Sequence, residues 1–157
     1  MNSKTRITDQ QRTILKTYTQ MMRAADAVTT RMHSHLVDTG LTLSQFGVLE
    51  VLYHKGPLCQ RDIGQKILKT SGNMTMVIDN LEKRELVVRE KDPTDRRRMV
   101  VRLTEEGLDL IQALFPVHAA VAAETFSVLE PNELATLGKL LKKVGIANVA
   151  SPETEYR

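Results

Sequence analysis

From Thr8 to Asp38 the chain runs without a glycine or a proline. Within that stretch Leu15, Tyr18, Met22, Ala25, Thr29, Met32 and Leu36 recur at alternating three- and four-residue steps, and Ile14, Met21 and Val28 fill the adjoining stripe. This is the period of a helix with one apolar face. About thirty residues at 1.5 Å each make a helix of about 45 Å, longer than a small domain is wide. Its apolar face is therefore expected to meet something outside its own compact domain. Gly40 stands where such a helix would end.

The chain has 157 residues, enough for one domain or one domain with an extension. An apolar share of 41% is too high for disorder, and no apolar run approaches the ~18 residues that cross a bilayer, so no membrane contact is predicted. The first residues, Met1 to Arg6, are polar and lack the apolar core of a secretion signal. A single cysteine, Cys59, excludes an intramolecular disulfide framework and a cysteine-rich zinc site. The expected class is a soluble cytoplasmic protein.

Charge is unevenly spread. The net charge is +3, but residues 55–102 hold twelve Lys and Arg against seven Asp and Glu, and the rest is slightly acidic. Such asymmetry suits a segment that meets a polyanion. Ahead of that region Thr42 and Gln45 fit a capping box, with Leu41 and Phe46 placed for a hydrophobic staple. Phe46, Leu49, Leu52 and Tyr53 are the predicted buried stripe of this helix, and Gly56-Pro57 its stop. A short helix from Gln60 to Leu68, with Cys59 at its N-cap, is followed by another from Ser71 to Arg84. The latter buries Met74, Val77, Ile78 and Leu81 and turns Asn73, Thr75, Met76, Asn80 and Lys83 outward. Two such helices joined by a short turn are a helix-turn-helix signal.

Two β-rich runs come next, Leu86 to Glu90 and Met99 to Leu103, separated by a turn-forming segment that ends Arg96-Arg97-Arg98. A hairpin with an arginine-loaded tip directly after a helix-turn-helix makes a winged helix. Arginine there suits the negative potential of a narrow minor groove. Thr104 caps a helix running past Phe115, with Pro116 as the place for a bend. The last helix starts at Pro131, with Leu134, Leu137, Leu140, Leu141 and Val144 on one face. The predicted fold is mainly α with a small β-hairpin wing. Residues 1–40 form an N-terminal dimerisation helix, 41–104 the winged helix-turn-helix, 105–147 the C-terminal dimerisation helices and 148–157 a flexible tail.

The run from Asp92 to Gly107 resembles the multiple-antibiotic-resistance regulator (MarR) family. That family's wing carries Asp-Pro-x-Asp-x-Arg and then a strand ending Leu-Thr-x-x-Gly, here Asp92, Pro93, Asp95, Arg97, Leu103, Thr104 and Gly107. Leu41-Thr42, Gln45-Phe46, Val48-Leu49, Asp79 and Leu81-Glu82 match as well, and the likeness runs from about residue 8 to 147. Leu68 to Thr75 is similar to the branch that senses phenols and quinones. The resemblance implies a homodimer bound to a pseudo-palindromic operator on double-stranded DNA. It further implies a repressor released by a small phenolic or aromatic effector or by oxidation, with Asp95 orienting Arg97. Three positions depart from the family: Met76 where many members have arginine, Glu85 where a glycine usually ends the recognition helix, and Glu130 where the last helix usually has a serine cap. A left-handed backbone at Glu85 would cost about 1 kcal/mol or more.

The expected interface with DNA comprises Ser71, Asn73, Thr75 and Met76 in the major groove. Ser44, Gln60, Arg61, Lys66 and Lys69 are expected on phosphates, and Arg96 and Arg97 in the flanking minor groove, with Asp95 orienting Arg97. The resemblance also implies a ligand pocket, for which His33, Leu49, Tyr53 and Phe115 are candidates. Cys59 is a redox candidate, although a half-buried cap is the better reading of one cysteine with no second thiol to resolve a sulfenic acid. No metal site is expected, since His33 and His35 point in different directions on a helix and no ligand cluster accompanies them. No cofactor is expected either, and without a nucleophile-base pair, phosphate loop or paired carboxylates the chain does not read as an enzyme. The alternatives are a winged-helix protein-interaction module without DNA binding and a thiol-based redox-sensing repressor acting through Cys59.

Overall fold

A computed structural model describes residues 7–67 and 71–148. The order of elements is α1 (Asp9–His33), a 3-10 turn (Ser34–Thr39), α2 (Leu43–Lys55), α3 (Gln60–Lys66), α4 (Ser71–Lys83), β1 (Val87–Lys91), β2 (Met99–Leu103), α5 (Glu105–Phe126) and α6 (Pro131–Asn148). This is the predicted helical protein with a hairpin wing. Lys69 and the tail beyond Asn148 lie outside the described residues.

α1 begins with a capping box in which the Thr8 hydroxyl accepts the Gln11 N–H at 3.1 Å and the Gln11 amide accepts the Thr8 N–H at 2.8 Å. It is shorter than the glycine-free stretch predicts. The α-helix stops at His33 and the chain tightens into the 3-10 turn, because side-chain hydroxyls take up local carbonyls: Ser34 donates to Arg31 and Thr39 donates to Leu36. Gly40 then ends the turn in the left-handed region, φ 66°. No residue of α1 is buried, and Ile14, Leu15, Tyr18, Met21 and Met22 present an open apolar stripe.

The core sits between α2, α3, α4 and the hairpin. Thr42 and Gln45 form the expected capping box, and Leu41 and Phe46 on either side of it are both buried. Phe46, Leu49 and Leu52 are buried as predicted, but Tyr53 is not: its side chain lies at the edge of the seam with α5, 37% exposed. Val48 takes a place in the core instead. From α4 come Met74, Val77, Ile78 and Leu81, all buried. The strands pair antiparallel from Val87↔Leu103 to Lys91↔Met99, and Leu58 adds two backbone hydrogen bonds to Val101. Those bonds tie the loop before α3 to the wing.

The reversal between α4 and β1 is a Schellman motif. Glu85 N–H bonds to the Glu82 carbonyl, Leu86 N–H bonds to that of Leu81, and Glu85 itself is left-handed at φ 58°. The start of α5 is docked on the same two residues. Thr104 donates its N–H to the Leu86 carbonyl and its hydroxyl to the Glu85 carbonyl, and its oxygen accepts the Gly107 N–H at 3.0 Å. Gly107 packs so closely that a Cβ there would lie 1.9 Å from the Leu86 carbonyl oxygen.

The chain divides into two compact units after Val121. In the second, α6 starts at Pro131 as expected, with the Glu133 carboxylate accepting the Glu130 N–H in place of a serine cap's service to the helix start. Leu134, Leu140, Leu141 and Val144 are exposed and Leu137 is partly covered. α5 remains one helix through Pro116. No single helix among the described residues is long and apolar enough to cross a membrane.

Two glycine substitutions test the α4–β1 junction. Glu85→Gly should raise stability by about 1 kcal/mol, since glycine adopts the left-handed backbone without the Cβ clash. Gly107→Ala should lower it by about 3 kcal/mol, the cost of forcing a methyl group onto a carbonyl. Denaturant midpoints of the two variants against the wild type measure both.

Candidate nucleic-acid interface

Among the described residues, the predicted contact residues lie on α2, α3, α4 and the wing. On α4, Asn73, Thr75 and Met76 are exposed while their neighbours Met74 and Val77 are buried, so one face of this helix is held to the core and the other is open. Ser71 opens α4. Arg61 and Lys66 on α3 are exposed, and Ser44 in the first turn of α2 is half-buried. Gln60 is not a free phosphate contact. Its amide nitrogen donates to the Thr75 hydroxyl at 2.6 Å, and its amide oxygen accepts from Arg89 of β1.

Arg89 is a residue that pattern reasoning missed. Its guanidinium pairs with Asp79 at 2.6 Å and with Glu82 at 2.5 Å, both on α4, and its backbone N–H donates to the same Glu82 carboxylate. A bidentate guanidinium fork suits such bridging. Strand β1 thus grips α4 through one side chain. The signal available in the sequence was two acids three residues apart on α4, followed by a lone arginine in a half-buried strand. Arg84 makes a second tie, donating to the carbonyls of Thr39 and Gly40 where the turn after α1 ends.

In the wing the aspartates shape the turn. Asp92 accepts the Thr94 hydroxyl and N–H, and those bonds hold its carboxyl below the usual carboxylate range. Asp95 accepts the Arg97 backbone N–H at 3.1 Å, so it sets the course of the main chain at Arg97. Of the three consecutive arginines, Arg98 is turned back toward Asp62 at 3.9 Å and toward the Cys59 side chain. Arg102 pairs with Glu90 at 2.8 Å. Arg96 and Arg97 are exposed, and among the described residues no carboxylate pairs with either. Of the wing's three consecutive arginines, the two without a carboxylate among the described residues are the two that the sequence singles out.

The ligand-pocket candidates are only partly brought together. Tyr53 and Phe115 face each other across the α2–α5 seam with ring centroids 6.2 Å apart, and His54 contacts both, at 5.0 and 4.8 Å. Leu49 lies fully buried in the core, and the His33 ring bonds to the Leu41 carbonyl at 3.2 Å instead. Sequence reading did not anticipate a second aromatic group, Phe46, His118 and His35. The His118 ring lies 4.3 Å from Phe46 and 4.9 Å from His35, with the two imidazoles joined nitrogen to nitrogen at 3.2 Å. Burial pushes the His35 imidazole below its ordinary range, more than the Met32 carbonyl raises it, and His33 adds to the depression. Burial lowers His118 too, with Glu50 opposing and His35 reinforcing. His35 Nδ1 is buried without a hydrogen-bond partner.

Cys59 sits at the N-cap of α3, half-buried, and its side chain makes no capping hydrogen bond. Among the described residues no group of three or more His, Cys, Asp or Glu side chains is arranged to hold a metal ion.

Comparison with known proteins gives a consistent set of likenesses. The model of the MarR family matches residues 41–99. The transcriptional regulator MhqR of Bacillus subtilis is 42% identical over 132 residues, covering 84% of this chain and 91% of that protein. Among solved structures, Bordetella bronchiseptica BpsR, whose DNA binding is regulated by 6-hydroxynicotinic acid, aligns with a TM-score of 0.74 at 28% identity, over 83% of this chain and 98% of that one. A cysteine-to-serine mutant of E. coli MarR complexed with operator DNA aligns with a TM-score of 0.74 at 25% identity, covering 87% and 99%.

The imidazole pair sets an acid limit on the fold. Both folded-state values are depressed, so the unfolded chain binds more protons between the folded values and the ordinary value of about 6.5. The pair's contribution to stability is therefore fully present above about pH 6.5 and is lost as pH falls through the depressed folded-state values. Denaturation midpoints at about pH 7.5 and about pH 5.5 should show that loss, and His118→Phe should reduce it.

Proposed function

Because the chain belongs to the MarR family, whose members are DNA-binding transcriptional regulators, we propose that it is a homodimeric, sequence-specific repressor working in the cytoplasm on a pseudo-palindromic operator. Residues 41–104 are the DNA-binding domain in this reading, and residues 1–40 and 105–147 supply the dimerisation helices. The observation that carries it is the pairing of an outward face on α4 with two uncommitted arginines at the wing tip, both anchored in one core. Asn73, Thr75 and Met76, with Ser71, enter the major groove. Arg61, Lys66, Lys69 and Ser44 position the protein on phosphates. Arg96 and Arg97 reach the adjoining minor groove, on a turn shaped by Asp95.

The open stripe of Ile14, Leu15, Tyr18 and Met22 on α1 supports a dimer, because an apolar face of that extent is covered in a working protein. The aromatic side chains at the α2–α5 seam support a small aromatic effector. The chain has three Phe, three Tyr and no Trp, and Phe46, Tyr53 and Phe115 are all at this seam, with His54 and His118 among them. Flat rings stack on such groups and imidazoles hydrogen-bond to phenol or carboxylate oxygens. The regulation of BpsR by a hydroxylated aromatic acid is of the same chemistry.

Salt titrations separate the two DNA-reading elements. Arg97→Ala removes one phosphate-range cation per subunit, so the slope of log affinity against log salt should shrink by roughly 0.9 per contact, near two units for the dimer. It should weaken operator and unrelated DNA together. Asn73→Ala should leave the slope in place and lower the ratio of operator to unrelated-DNA affinity. An unchanged slope in Arg97→Ala with a reduced one in Asn73→Ala would overturn the assignment.

A further inference from the structure

We propose that Gln60 and Thr75 form a single base-reading element with a fixed donor face, and that Arg89 is the positioning residue that fixes it. The inference rests on the reading of α4 as the helix in the major groove. It goes beyond that reading by assigning the polarity of the contact and a role to a residue on the wing strand.

A glutamine amide can be turned either way, showing its oxygen or its NH2 group to a ligand. Here both ends are engaged. The oxygen faces Arg89 Nη2 at 3.4 Å, and Nε2 donates to the Thr75 hydroxyl at 2.6 Å. Arg89 is itself immobilised, since its guanidinium is shared between Asp79 at 2.6 Å and Glu82 at 2.5 Å and its N–H is bound by Glu82. Two carboxylates around one guanidinium leave no surplus positive charge, so Arg89 adds nothing to phosphate attraction and acts through the side chain it orients. The amide nitrogen carries two hydrogens and Thr75 takes one. The second has no partner among the described residues and lies beside the exposed Thr75.

The element therefore reads by donation. It suits a base edge rich in acceptors, N7 and O6 of guanine or O4 of thymine. It does not suit the exocyclic amine of cytosine. Nor can it make the paired donor-and-acceptor grip on adenine that a free glutamine makes, because its oxygen is turned to Arg89.

Operator selection from random DNA with the full chain tests this, using wild type, Gln60→Ala, Thr75→Val, their double variant, Thr75→Ser and Arg89→Lys. The expected result is one position per half-site where wild type enriches guanine or thymine. At that position Gln60→Ala and Thr75→Val each lower the preference roughly fivefold, the scale of one neutral hydrogen bond. The double variant should lower it no further, and Thr75→Ser, which keeps the hydroxyl, should retain it. Arg89→Lys keeps a charge for the carboxylates but cannot fork to Gln60, so it should relax that same position more than any other position of the operator. Thr75 is exposed, so its variants keep the test open should Arg89→Lys not fold. Effects at different positions, a multiplicative double variant, cytosine enrichment, or an Arg89→Lys protein that folds and keeps the preference would each overturn the inference. A wild-type protein that selects no sequence at all would instead overturn the DNA-binding reading on which it rests.

Discussion

The left-handed turn at Glu85 and Leu86 is the constraint from which the rest of the structure is aligned. It ends α4 by the paired bonds from Glu85 to Glu82 and from Leu86 to Leu81, launches β1, and offers both of its carbonyls to Thr104 at the start of α5. The end of α4, the wing and the first turn of α5 therefore share two residues. Glycine at residue 107 is what lets the start of α5 approach the Leu86 carbonyl, and that explains in steric terms why the wing signature closes on a glycine. Where the usual glycine of the turn is replaced by Glu85, the fold carries the backbone cost in place, held by the bonds on either side.

Around that turn the protein uses charge for alignment as much as for attraction. The region of basic excess holds Arg89, Arg98 and Arg102, each turned onto a carboxylate: Asp79 and Glu82, Asp62, and Glu90. Arg84 is spent on backbone carbonyls at Thr39 and Gly40, joining the C-terminal end of α4 to the turn that follows α1. A change at that turn and a change in the pose of α4 thus meet at one guanidinium. The His35–His118 contact joins the same turn to α5.

Much of this was legible in the sequence where a local rule has one solution. The capping box of Thr42 and Gln45, the inward set Met74, Val77, Ile78 and Leu81, the hairpin and the N1 proline at residue 131 all follow from spacing or backbone sterics. The end of α1 was not legible, because hydroxyl groups at Ser34 and Thr39 compete for carbonyls without disturbing the apolar period. Tyr53 keeps the helical period of a core residue yet lies at an edge, since period gives direction and not depth. The site was legible as outward-facing residues and arginines. Its internal wiring was not: Gln60 to Thr75 and Arg89 to Gln60 span 15 and 29 residues, and the His35–His118 contact spans 83. Contacts at such separations come from topology.

The central claim is that α4 and the wing of two subunits grip one duplex together. Footprinting the wild-type protein on its selected operator, with a guanine N7 methylation probe for the major groove and hydroxyl radicals for the minor groove, addresses it directly. The expected result is two protected major-groove windows about one helical turn, roughly 10 base pairs, apart, each flanked on its outer side by minor-groove protection from Arg96 and Arg97. A single window, or major-groove protection with unprotected flanks, would contradict it.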